Sequence, residues 1–507
     1  MESFTLFNNL HSSYGNSFIM TLLAYHEAPK KQIQPTRKPH NRAHSGRSFG
    51  EITIMEVNRE WTISLLLTLV NLWLWTNGPA IVQSAPQPCQ LQGAKCVYDK
   101  LNLSADGLQR LRTSGRDLPQ VFQIDVKLLI TPYPDGVLLQ LISEFVQEVV
   151  YENYRERILR IPPVSALTDL TLRKAPPLQA VAVAAPNNRL TTLSIKQSNI
   201  RSMPSALTNL RQLATLAIEN GALESVSLDP LANCLKLSIL MCGNNKITQL
   251  IPSQNENLFV PLTDLTLANN LLETIDGAFF LPLRRLTYLD LGSNRIQRIE
   301  GRPLSLPRVM YIQLVSNQLA ELDVTRWNLP NAIEIYFDNN NLTRIPIGIQ
   351  TLPNLTTLVL PNNLLTVVDL RRLDGWTKLQ RINLAANRLT NVIVTGQGRT
   401  SLPNLEQLDL SNNQLTQLEY ARWDLPKLTT LVVALNGLTR LPDLFKLFPK
   451  LRRAFAVQNP LHCNTIRQWQ QYIAEFKLAV DAAMPGINCA TNSTHKLPSG
   501  RVICCVE

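Results

Sequence analysis

Histidine is nearly missing from the part of this chain that looks foldable. Of six histidines, His11, His26, His40 and His44 sit near the amino terminus, leaving His462 and His495. Neither accompanies a serine or cysteine in a nucleophile and base arrangement, and no glycine-rich phosphate loop, zinc-spaced ligand set or paired-carboxylate motif stands out. The hydrolase, nucleotidase and metalloenzyme classes therefore lose their machinery. The chain reads as non-catalytic, with no cofactor and no metal. Aromatic residues make up 6% and charged residues 17%, without the compact basic and aromatic constellation that nucleic acid requires. The apolar run Ile63 to Trp75 falls short of the about 20 residues that span a bilayer, so no stable membrane span is expected.

What the chain has in abundance is one eleven-residue frame. Leu405 to Leu415, LEQLDLSNNQL, fits LxxLxLxxNxL at every fixed position, and frames start at Leu167, Leu190, Leu213, Leu237, Leu262, Leu286, Val309, Ala332, Leu355, Leu379, Leu405, Leu428 and Leu451. Spacings of 23 to 26 residues are the signature of leucine-rich repeats, which stack as coils of a solenoid. The fold class expected is α/β: a horseshoe with short parallel strands on its concave face and disulfide-stapled caps. Positions four and six point inward from each strand, and positions three, five and seven face out onto the concave sheet. Position nine is asparagine in ten successive frames: Asn245, Asn270, Asn294, Asn317, Asn340, Asn363, Asn387, Asn413, Asn436 and Asn459. A carboxamide both donates and accepts, so it can bridge the buried turns of adjacent coils. Earlier frames carry Ala175, Ser198 and Gly221 there, which predicts less regular coils before about residue 230.

The organisation along the chain follows. Residues 1–54 are polar, basic and proline-containing in their second half, as in a disordered leader. Residues 55–84 combine a short charged segment, the apolar run and small residues at Val82 and Ser84, which is a secretory signal. Translation is expected to start at Met55 and cleavage to fall near Ser84. Residues 85–166 are assigned to an amino-terminal cap with a degenerate first coil, in FVQEVVYENY, and 167–461 to the solenoid. Residues 462–507 form a cysteine-containing cap, in which Ile466, Trp469, Ile473 and Phe476 share a helical face. After Ser84 the chain carries 42 basic and 33 acidic residues, net +9. That is mild attraction for anionic partners, spread along the repeats. Export agrees with four sequons at Asn102, Asn341, Asn354 and Asn492.

The eight cysteines group by environment. Cys89 and Cys96 read as one bridge. Cys463, Cys489, Cys504 and Cys505 leave two arrangements open: two bridges inside the cap, or one bridge and a thiol available to a partner chain. Cys242 occupies an inward position and Cys234 lies a strand away, so both are expected to be unpaired. Trp327 and Trp423 share position nineteen, a convex packing site, and Arg453, Phe455 and Val457 on the last coil are assigned to contacts with the cap. On the concave face of the middle coils, Tyr288, Asp290, Met310, Tyr311, Gln313, Tyr336 and Asp338 are the candidate ligand-binding residues, with the three tyrosines as an exposed strip.

A signal peptide, about a dozen such coils, the NPLHC cap at Asn459 to Cys463 and the adjacent Cys504 and Cys505 together resemble the leucine-rich immune proteins of mosquitoes, in their coil-less subgroup. The resemblance implies a secreted haemolymph protein of innate immunity. Its partner would be another leucine-rich-repeat protein, a complement-like thioester protein or a microbial surface ligand. Two other functions fit the same residues: an extracellular matrix or adhesion module, and a Toll-like receptor ectodomain lacking its anchor.

Overall fold

The computed structural model describes residues 90–103, 122–131, 134–163, 166–483, 489, 491 and 493–507. The leader, the secretory signal, Cys89, Asn492 and residues 107–112 of the amino-terminal cap segment, GLQRLR, lie outside them.

Eighteen strands form one sheet. It opens with an antiparallel pair, Gln90–Gln92 against Lys95–Tyr98, and every later pairing in it is parallel. The sheet passes through Gln123–Val126, Glu148–Tyr151 and Asp169–Leu172 and ends on Arg453–Phe455 and Leu478–Ala479. Register follows the frame: position-four residues Leu170, Leu193, Leu216, Leu240, Leu265 and Leu289 lie opposite one another. All are fully buried, giving a continuous apolar column that each coil builds only with its neighbours. The far side of the solenoid carries little helix. Short 3-10 turns such as Gly277–Phe280 and Leu370–Leu373 alternate with two-stranded parallel pairs such as Thr274–Asp276 with Arg298–Glu300.

The asparagines at position nine do what their chemistry suggests. In Asn340, Nδ2 donates to the carbonyls of Leu314 (2.9 Å), Phe337 (3.0 Å) and Asp338 (3.2 Å), while Oδ1 accepts from the Leu319 amide at 3.0 Å. The same four-bond pattern recurs at Asn270, Asn294, Asn317, Asn363 and Asn387. Each carboxamide ties its own coil to the one before it.

Coil regularity starts earlier than the asparagine count predicts. Position eight is left-handed in every coil from the frame at Leu190 onward: Gln197, Asn220, Asn244, Asn269, Ser293, Ser316, Asn339, Asn362, Ala386, Asn412, Leu435 and Gln458 have φ between 52° and 56°. The turn is thus imposed by the stacking of strands, whatever the side chain. Gly221 keeps the pattern without a carboxamide, its amide donating to Asn245 Oδ1 at 3.1 Å. Ser198 does not, since its hydroxyl is buried with no hydrogen-bond partner. A second ladder, made of hydroxyls at position two, also runs through the early coils. Thr168, Thr191, Ser238, Thr263 and Thr287 each donate to the position-two carbonyl of the coil before, at 2.9 to 3.2 Å.

At the carboxyl end, Cys463 pairs with Cys505 and Cys489 with Cys504, so the two-bridge cap is the arrangement formed. Cys234 and Cys242 are free and buried, and burial pushes both thiols up to about 12. Cys96 is disulfide-bonded. The helical face expected in the cap is only partly realised. Ile466 and Ile473 are buried and Trp469 Nε1 donates to the Leu441 carbonyl at 2.8 Å, but helix ends at Ala474. Phe476 then takes φ 57° and turns outward, 72% exposed, with the Arg501 guanidinium 4.7 Å above its ring. Trp423 is fully buried and Trp327 packs against the core, the packing role their shared position implies.

Candidate functional site

The concave sheet changes character along its length. In the first coils position seven, at the end of each strand or just past it, is charged and paired across coils. Lys127 meets Asp99 at 2.7 Å, Arg173 meets Glu152 at 3.3 Å, and Lys196 meets Glu219 at 3.3 Å. Lys95 and Asp125 pair at 2.6 Å on the strands themselves. At position three Glu148 and Asp169 stand opposite one another, while at position seven this part of the face neutralises its own charge. From the frame at Leu237 the same position holds Gly243, Ala268, Gly292 and Val315, leaving a low, open sheet bordered by larger side chains at positions three and five.

The candidate residues stand on that open stretch. Tyr288 and Tyr311 are opposite one another on adjacent strands, as are Asp290 and Gln313. Tyr336 does not continue the row. It sits at position five, opposite Gln313, while Glu334 takes the place beside Tyr311. The expected strip is therefore a bent patch, two tyrosines in register and a third displaced by two residues. All three rings are half-buried, not standing free, because position-three and position-five side chains of successive strands lie only a strand spacing apart. Met310, at position two, is half-buried at the margin of the patch.

Electrostatics single out the carboxylates. Burial raises the carboxyl of Asp290 against one opposing hydrogen bond from the Gly292 amide, at 2.9 Å. Asp338 is pushed up to about 7, again by burial, and its Oδ1 has no hydrogen-bond partner among the described residues. Its position-seven neighbours, Val315 and Pro361, offer no side-chain donor. Burial raises the hydroxyls of Tyr288 and Tyr336 too, the latter also donating to Glu334. Glu334 in turn pairs with Arg381 at 2.6 Å.

This predicts a pH signature in stability. A folded-state carboxyl near 7, against an ordinary value of 3.8, holds a proton between those pH values that the unfolded chain releases. Stability is lost as pH rises through that window, and Asp338→Asn should remove the loss. The variant's melting stability relative to the parent should improve from pH 4 to pH 8 by on the order of 2 kcal/mol. An unchanged difference across that range would place Asp338 in an ordinary solvated setting.

Of the sequon asparagines, Asn102 and Asn341 are exposed. Asn354 is tied down, its Nδ2 donating to the Pro330 carbonyl at 2.6 Å and its Oδ1 accepting from Lys378. Asn331 and Asn404 hold the equivalent bonds to Pro307 and Thr377, so the residue before the frame forms a further inter-coil tie. A sugar on Asn354 would have to break it.

Models of leucine-rich repeats match residues 261–319, 330–389 and 404–421. The chain folds as a leucine-rich-repeat solenoid. The matched segments begin one coil after Asn245, the first asparagine of the ladder, and leave out the earlier coils in which position nine varies. A curated relative from the sea anemone Anthopleura elegantissima, a probable glycoprotein hormone G-protein coupled receptor, is 32% identical over 98 residues, 19% of this chain and 11% of the relative. The chain thus spans about a tenth of that protein. Among solved structures, the mouse RP105/MD-1 complex is similar at TM-score 0.50 and 17% identity, covering 73% of this chain and 61% of that one. The leucine-rich repeat domain of APL1B is similar at TM-score 0.44 and 18% identity, covering 80% of this chain and 99% of that domain. The two structural likenesses concern the fold.

Proposed function

We propose that this leucine-rich-repeat chain is an exported, non-catalytic recognition protein of innate immunity, which holds a protein or microbial surface ligand on its concave sheet. The observation that carries the reading is the change along that sheet. At position seven its amino-terminal coils close their charges into ion pairs, whereas the coils from Leu262 to Asp338 present tyrosines and carboxylates around a floor that is uncharged at Ala268, Gly292 and Val315. Tyrosine supplies large contact area with a polar tip, as recognition surfaces require. Export is supported by the stapled cap, since bridges such as Cys463 to Cys505 persist in oxidising compartments. Among the described residues no helix is long and apolar enough to cross a membrane.

Partners of the kinds considered are another leucine-rich-repeat protein, a thioester protein or a microbial surface. RP105 was solved with MD-1, a precedent for a solenoid of this fold assembling with a second protein. A second reading, a receptor ectodomain, is favoured by the match to the sea anemone receptor.

The test is capture. The parent chain and the concave variant Thr266→Arg, at position five opposite Asp290, secreted from cultured cells, are incubated with extracellular fluid and with whole microbes, then recovered under non-reducing conditions. The parent should be recovered from the medium and retain a ligand, and the variant should retain at least tenfold less. Equal retention by both would overturn the concave assignment, and absence of the parent chain from the medium would overturn export.

A further inference from the structure

The middle of the concave sheet is acidic in a chain that is basic overall. Strands of the five coils starting at Leu262, Leu286, Val309, Ala332 and Leu355 carry Asp264, Asp290, Glu334 and Asp338 at outward positions and no lysine or arginine, although the whole chain is +11. The next cation along the face, Arg381, is committed to Glu334 at 2.6 Å. Asp264 has only the Thr263 hydroxyl at 2.6 Å, whose single proton it shares with the Ser238 carbonyl, and Asp290 one amide. Asp338 Oδ1 lacks a hydrogen-bond partner among the described residues. Beneath the same stretch, opposite Arg381, Thr357 is 2% exposed and its hydroxyl is also without a partner. Half-buried carboxylates without a cation are electrostatically costly, and a positive charge brought to them would regain that energy. The tyrosines add ring faces over which a guanidinium or ammonium group settles.

We propose that this patch, formed by Asp264, Asp290 and Asp338 with Tyr288, Tyr311 and Tyr336, docks an arginine- or lysine-bearing peptide segment of a protein partner. This rests on the concave-face reading and gives it a chemistry. The uncharged floor of Ala268, Gly292 and Val315 leaves room for an extended backbone to lie across the strands, with its cations reaching Asp264 and Asp290 along one edge and Asp338 at the end of the row. The interaction is charge-driven, so it weakens with salt. It also weakens as Asp338, raised towards 7 by burial with Val315, Pro361 and Tyr336 around it, takes up its proton.

The experiment titrates the full secreted chain with a fluorescein-labelled hexa-arginine peptide and, as counterpart, a hexa-glutamate peptide, at 50 and 300 mM salt (about 14 and 6 Å of screening length). Hexa-arginine should bind at least tenfold tighter than hexa-glutamate at low salt. The double variant Asp290→Asn with Asp338→Asn should lose at least tenfold of that affinity, and Glu321→Gln, on the exposed pair with Arg344, should keep it. A melt of each variant confirms folding, and Tyr311→Ala provides an independent second disruption. No preference for the cationic peptide, or unchanged affinity in the folded double variant, overturns the proposal. Should Thr266→Arg abolish capture while hexa-arginine fails to bind, the concave reading stands and the cationic partner falls.

Discussion

Asn340→Ala should lower the unfolding free energy by about 3–5 kcal/mol, because it strips partners from several buried groups at once, each worth about 1–3 kcal/mol. The carboxamide is 5% exposed and serves four bonds, so its loss leaves the Leu314 carbonyl and the Leu319 amide short of a partner across the coil boundary. Both belong to the preceding coil, so the cost falls on the interface between coils. A solenoid is held by such nearest-neighbour terms, and weakening one separates the array into two cooperative units. Denaturant melts should therefore broaden or split, with a lower apparent slope. Asn340→Asp should behave almost as badly, since it keeps the acceptor for Leu319 and loses the donors. A drop below about 1 kcal/mol for the alanine variant would remove the ladder from the account of stability.

The second large effect is at the cap. Removing the Cys463 to Cys505 bridge, by replacing both cysteines with serine, should cost about 4 kcal/mol, and removing Cys489 to Cys504 about 3 kcal/mol, from the loop-closure entropy each bridge withholds from the unfolded chain. The order follows the sequence separations of 42 and 15 residues. The first bridge also fastens the antiparallel pair Ser493–Lys496 with Val502–Cys505 to the Cys463–Gln468 helix, which covers the last coil through Ile466. Limited proteolysis should begin in the coils nearest the carboxyl end when that bridge is absent, while coils near Leu190 keep their protection. Uniform loss of protection along the chain would mean that the cap does not act locally.

The physical basis of legibility differs from residue to residue. Leu193, Leu216 and Leu240 declared themselves because an inward position in a narrow coil tolerates little but leucine, and the period of 23 to 26 residues repeats that demand. Asn245 to Asn459 were equally plain, since a buried turn with unpaired backbone groups selects one side chain. Strands at Lys95–Tyr98 and Gln123–Val126 were not legible: their inward residues are Cys96 and Tyr98, Ile124 and Val126, which spell no leucine frame. Position eight escaped notice because its left-handed backbone is set by stacking, which even Ala386 and Leu435 obey. The displacement of Tyr336 could have been read directly, as it holds position five of its frame where Tyr288 and Tyr311 hold position three. The frame already sets Val315 and Pro361 beside Asp338 at position seven, but the depth of its burial and its unpartnered Oδ1 depend on how the surrounding side chains pack and could not be read from sequence.

The most direct test of the concave surface as the recognition face is oxidative footprinting of the free and ligand-loaded protein. Tyr288, Tyr311 and Tyr336 should lose reactivity on loading, while Phe476, exposed on the cap, should stay as reactive as before. Protection of Phe476 with no change at the three tyrosines would contradict the account.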